Sequence, residues 1–152
     1  MTLRAGDTAP DFELPDQEGT PTRLSTLLEE GPVVLFFYPA ANTPGCTKQS
    51  CRFRDLAAEF AAVGAQRVGI SRDAVGVQQG FAERYGFDYP LLADVDGAVA
   101  EAYGVKRGLL GRVSPVKRTT FVIGTDRTVQ RAIASELDMN THADGALAEL
   151  SA

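Results

Sequence analysis

The chain contains no tryptophan, one histidine, two methionines and two cysteines. Two cysteines are too few for the disulfide scaffold of a small secreted domain. In a reducing compartment such a pair is more often catalytic or metal-binding than structural. The lone histidine, His142, lies far from both cysteines in sequence. A closed zinc site would therefore lack ligands, and neither a metal nor an organic cofactor is expected. No apolar run approaches a membrane span. The opening MTLRAGDTAPDF has no apolar signal core, so a cytoplasmic location is expected. Positive charge is also short: 15 Lys and Arg against 20 Asp and Glu leave a net charge of −5. That balance argues against general nucleic-acid binding or attraction to anionic membranes. Repeats and low-complexity linkers are absent.

What is present suits one soluble domain spanning residues 1–152, with 44% hydrophobic residues and an ordinary charged fraction. Asp11–Leu14 alternates and predicts a short strand ended by Pro15; Asp16–Gly19 is a turn. Val33–Tyr38 is apolar without alternation, as in a central strand buried on both faces. Residues 43–63 predict one helix closed by Gly64. Strands follow at 66–71 and 89–93, with a helix at 75–85 closed by Gly86 and weakened by Gly76 and Gly80. A short helix is expected at 98–103. Thr119–Ile123 predicts a buried strand, residues 128–133 pair back from a turn at 124–127, and a last helix covers 143–150. Strand–helix alternation followed by a hairpin implies an α/β sandwich with a mixed central sheet flanked by helices.

The rest is organised around Pro32–Arg54, PVVLFFYPAANTPGCTKQSCRFR. Sites in open α/β sheets lie at the carboxyl ends of strands, and Cys46 follows such an end. With Thr43 as N-cap and Pro44 in the first helical position, Cys46 occupies the first turn. Unpaired N–H groups and the positive end of the helix dipole favour a thiolate there. Lys48, Arg52 and Arg54 are local cations, and Arg118 precedes the TTFVI strand. A buried core thiol is the alternative: Cys46, Phe53 and Phe60 share one helical face. Cys51, with Asp55 and Ala58, falls on a more exposed side. Five residues along a helix means a rise of about 7.5 Å and a rotation about 140° past one turn. An undistorted helix therefore cannot bridge the two cysteines.

These residues resemble a known family. Pro39, Thr43 and Cys46 have the P-x-x-x-T-x-x-C spacing of peroxiredoxins. FFYPAANTPGCTKQSC, with APDFELPD, FDYPLLAD, YGVKRG and KRTTFVIGTDRTV, is similar to the Q-type, or bacterioferritin comigratory protein, subfamily. The resemblance implies a thioredoxin-like fold with peroxiredoxin additions. It implies that Cys46 attacks the peroxide and becomes a sulfenic acid, with Thr43 bonding the peroxide, Arg118 stabilising the charge and Pro39 shielding the pocket. Cys51 would resolve the sulfenic acid as an intramolecular disulfide, reduced by thioredoxin or a similar dithiol protein. The resemblance leans toward a monomer and leaves a dimer open. Where the subfamily often has Glu, this chain has Gln49, which removes one negative charge near Cys46.

Without the resemblance, Arg118 would read as a surface cation. Arg107, Arg112 and Lys117 read as a basic rim, Gly108–Val113 as a packed flap or a partner-docking surface, and His142 as solvent-facing. Two other functions compete: a thiol–disulfide oxidoreductase, which normally uses C-x-x-C, and a redox sensor or structural domain.

Overall fold

The computed structural model describes residues 2–107 and 115–151. Among these residues seven strands and six helices follow in chain order: β1 (Glu13–Pro15), β2 (Pro21–Arg23), α1 (Leu24–Leu27), β3 (Val33–Phe37), α2 (Pro44–Asp55), α3 (Ala57–Ala62), β4 (Gln66–Ser71), α4 (Val75–Tyr85), β5 (Leu91–Ala93), α5 (Ala98–Ala102), β6 (Thr119–Ile123), β7 (Val129–Ala134) and α6 (Asn140–Leu150). β1 and β2 form a separate antiparallel pair. The main sheet runs β5-β4-β3-β6-β7. β3, β4 and β5 are parallel, while β6 and β7 are antiparallel additions. This is the expected mixed sheet.

Every residue of β3 is buried, because helices cover both faces of the sheet. Val33, Leu35 and Phe37 face one core with Val68, Ile70, Phe121 and Tyr103. Val34, Phe36 and Tyr38 face the other with Cys46, Phe53, Phe60 and Phe81. Phe36 and Phe53 stack with centroids 4.1 Å apart, fastening α2 to the central strand. Gly69 makes room for this layer: a Cβ there would lie 2.8 Å from Leu91 and 3.0 Å from Phe36.

The helix expected over 43–63 is instead two, broken at Leu56, whose φ of −96° and ψ of 21° leave the helical range. Arg67 Nη1 donates to the Phe53 carbonyl at 2.9 Å, an oxygen that an unbroken helix reserves for residue 57. The 66–71, 75–85 and 119–123 elements match their expected bounds. Gly86 closes α4 with φ of 65°. Gly76 and Gly80 meet nothing that a Cβ would clash with. The strand expected from Tyr89 begins at Leu91. The last helix starts earlier than expected, at Asn140, and takes in His142.

Register brings the ends together. Phe37 pairs with Thr119 of antiparallel β6 and with Ile70 of parallel β4. The exit of β3, the exit of β4 and the entrance of β6 therefore share one edge of the sheet. Among the described residues, no helix is long and apolar enough to cross a membrane.

Candidate active site

Cys46 sits in the first turn of α2, fully buried. Thr43 is the N-cap by backbone, with φ of −83° and ψ of 152°, and Pro44 follows it. Its side chain makes no capping bond. The Thr43 hydroxyl donates to the Ala40 carbonyl at 2.7 Å, so the expectation of a side-chain cap is corrected. Asn42 takes a left-handed φ of 64°, which Asn tolerates better than most residues. Pro39 is half-buried at the exit of β3.

Arg118 lies 72 residues from Cys46 yet donates Nη1 to its Sγ at 3.3 Å. The same Nη1 donates to Gln49 Oε1 at 2.6 Å. Arg118 is 7% exposed, so its charge acts in a poorly solvated site, where it is weakly screened. Its backbone N–H donates to Glu136 at 2.9 Å, and Arg107 also bonds that carboxylate at 3.0 Å. A Cβ on Gly45 would lie 3.2 Å from Arg118 Nη2 and 3.4 Å from Met139 Sδ, so the glycine lets the guanidinium lie against the helix start.

The sequence-local cations do not converge here. Arg52 pairs with Asp144 at 2.9 Å, Arg54 with Asp55 at 2.9 Å, and Lys48 is exposed. Lys117 stays on the exposed rim, whereas Arg107 is tied to Glu136. Arg112 and the Gly108–Val113 loop lie outside the described residues. In the sequence Gln49 stands out only as a missing charge. The structure makes it a buried acceptor for Arg118. Glu136 and Met139 carried no sequence signal.

Cys51 is half-buried on the same helix, and both cysteines are free thiols. Burial pushes the Cys51 thiol up; Arg54 opposes this and Asp55 adds to it. The reduced helix thus holds Cys51 protonated and on a different face from Cys46.

His142 corrects its expected place: it is fully buried. Its Nε2 lies 2.9 Å from the Ser135 carbonyl, which can only accept, so Nε2 carries the proton. Nδ1 then accepts from Thr120 Oγ1 at 2.8 Å. Burial, the larger cause, and the neighbouring Arg118 lower the His142 pKa, against Ser135, Glu136 and Asp138. The folded state therefore prefers neutral His142. Its stabilising contribution is complete above the unfolded value of about 6.5. It is lost as pH falls through the lower folded value. At neutral pH, His142→Gln should cost about 1–3 kcal/mol for the lost buried partners. The gap to wild type should narrow between pH 7 and pH 5 in thermal melts. A gap independent of pH would refute this reading of His142.

A buried cysteine in the first turn of a helix, a buried guanidinium on its sulfur and a thioredoxin-like sheet define the class. The chain belongs to the AhpC/TSA family, matched over residues 5–132, a family of thiol-dependent peroxidases. Within it, the chain is a peroxiredoxin similar to Q-type and bacterioferritin comigratory proteins. It is 66% identical to the crystal structure of peroxidoxin BcpB from Mycobacterium tuberculosis, with a TM-score of 0.94 over 98% of this chain and 97% of that one. It is 40% identical to the chloroplastic peroxiredoxin Q of Sedum lineare over 93% of this chain and 75% of that protein. A structure of Xanthomonas campestris peroxiredoxin Q aligns with a TM-score of 0.83 at 32% identity, over 99% of this chain and 96% of that one.

Proposed function

We propose that the chain reduces hydrogen peroxide and organic hydroperoxides through Cys46, in a reducing cytoplasm. The Cys46 thiolate attacks one oxygen of the O–O bond. The S–O bond forms as O–O breaks, and the leaving oxygen takes a proton and departs as water or an alcohol. Cys46 is left as a sulfenic acid. Arg118 faces both the thiolate and the charge that develops on the oxygens. Thr43 holds the peroxide, and Pro39 limits water at the pocket. Cys51 then attacks the sulfenic sulfur, expelling water and leaving a Cys46–Cys51 disulfide. Thioredoxin or a similar dithiol protein returns both thiols by exchange.

The contact of Arg118 with the Cys46 sulfur is the single observation that most supports this reading. A core thiol gains nothing from a buried guanidinium, whereas a nucleophilic thiolate does. The test mixes reduced protein with one equivalent of hydrogen peroxide and counts thiols. Fast loss of both thiols, with peroxide consumed one for one, is expected. Insulin reduction without peroxide consumption would instead identify a thiol–disulfide oxidoreductase.

A further inference from the structure

The peptide unit between Ala40 and Ala41 is held at both ends. Its carbonyl accepts the Thr43 hydroxyl proton at 2.7 Å. Its N–H donates to Asp73 Oδ2 at 2.8 Å. Asp73 follows the exit of β4, the neighbour of β3 in the sheet. Its carboxylate is fixed in turn, because Ser71 Oγ donates to the same Oδ2 at 2.7 Å. Gln78 Nε2 donates to Ser71 Oγ at 2.9 Å and to the Leu92 carbonyl at 2.9 Å. Tyr38 donates its hydroxyl to Gln78 Oε1 at 2.5 Å. Gln78, Ser71 and Tyr38 are all buried.

We propose that Asp73 is a positioning residue for peroxide attack: through the Ala40–Ala41 peptide it fixes the Thr43 hydroxyl as an acceptor. A carbonyl only accepts, so the bond to Ala40 commits the Thr43 proton. The lone pairs of Oγ1 are then left to accept from the O–H of a peroxide. Were the peptide to flip, the Thr43 hydroxyl would lose its acceptor and turn freely. It would then spend part of its time presenting a proton where an acceptor is needed. Asp73 prevents the flip by holding the N–H end, and the buried Tyr38–Gln78–Ser71 chain keeps the carboxylate on target. Only the Ala41 methyl packs against the core there, so the hydrogen bonds at the two ends of the peptide carry most of the task.

This inference rests on Thr43 contacting the peroxide, and the test separates the two ideas. In a Cys51→Ser background, two rates are measured by rapid mixing: oxidation of Cys46 by hydrogen peroxide and modification by methyl methanethiosulfonate. The second reagent reports the same thiolate but offers no O–H to Thr43. The readout is the ratio of the two rates. Thr43→Val should lower the ratio about tenfold, the worth of one hydrogen bond. Asp73→Ala should lower it about fivefold, and Asp73→Asn, whose amide oxygen can still accept from Ala41, should restore it to within about twofold. The Thr43→Val, Asp73→Ala double variant should match Thr43→Val alone. If Asp73→Ala unfolds by circular dichroism, Asp73→Ser is read in its place, since its hydroxyl is too short to reach Ala41. An unchanged ratio for Asp73→Ala beside a lowered one for Thr43→Val overturns the role of Asp73. So does a double variant whose losses multiply. An unchanged ratio for Thr43→Val overturns the peroxide contact, and with it this inference.

Discussion

Arg118→Met should slow the oxidation of Cys46 by hydrogen peroxide by about 10²–10³-fold, the loss seen when one preorganised donor is removed from an oxyanion site. The geometry supports an effect that large. Arg118 is 7% exposed and holds both the Cys46 sulfur and Gln49. Attack moves negative charge from sulfur onto the peroxide oxygens. A fixed cation at the sulfur stabilises that charge throughout, whereas water would have to reorganise. Methionine keeps much of the volume and none of the charge. It leaves the Gln49 oxygen without its donor, at about 1–3 kcal/mol of stability, so the rate is measured in single turnovers well below the melting range. Arg118→Lys should fall between the two, since an ammonium is a point charge and cannot reproduce the planar fork. Equal rates for wild type and Arg118→Met would show that the guanidinium is only a packing element.

Oxidation should also strip amide protection from the first half of α2 and leave the second half nearly untouched. Disulfide geometry needs Cα atoms about 4.4–6.8 Å apart, and five residues of helix hold them about 7.5 Å apart along the axis alone, on different faces. The helix must therefore open. Its second half is tied from outside: Tyr89 donates to the Ser50 carbonyl at 2.7 Å, and Arg67 to that of Phe53 at 2.9 Å. Phe53 is also stacked on Phe36. The first half has Gly45 within it and exposed residues at 44 and 48. Opening also frees Cys51 from the burial that raises its pKa, which makes its thiolate easier to reach. In hydrogen exchange, amides 47–51, which bond the carbonyls of residues 43–47 at the opening end, should lose protection by orders of magnitude in the disulfide form, with 53–55 keeping most of theirs. Equal protection across 44–54 in both redox states would exclude this opening.

The parts of the fold written in local pattern were legible. TTFVI is a run of buried strand residues and QRVGIS holds another in its last four positions, and they form β6 and β4 as expected. The α2–α3 break was not legible, because it depends on Arg67 reaching a carbonyl 14 residues earlier. His142 was misread for a similar reason. A polar residue in a polar lead-in looks solvated, and only the folded sheet supplies Thr120 and Ser135 to satisfy its ring. At the site, the position of Cys46 could be read from capping logic, while Arg118 stood among four candidate cations and only the family resemblance singled it out. The register that sets Phe37 beside Thr119 explains why Arg118 arrives there. Asp73 and Glu136 act through backbone N–H groups far off in sequence, and no residue pattern announces such bonds.

The most direct test of Cys46 as the attacked sulfur is peptide mapping after one equivalent of peroxide, with dimedone present to trap sulfenic acid. In Cys51→Ser, the adduct should sit on Cys46, formed as fast as wild-type protein consumes peroxide. In Cys46→Ser, Cys51 should stay a free thiol over the same time and peroxide should persist. An adduct on Cys51 in Cys46→Ser at the wild-type rate would contradict the assignment.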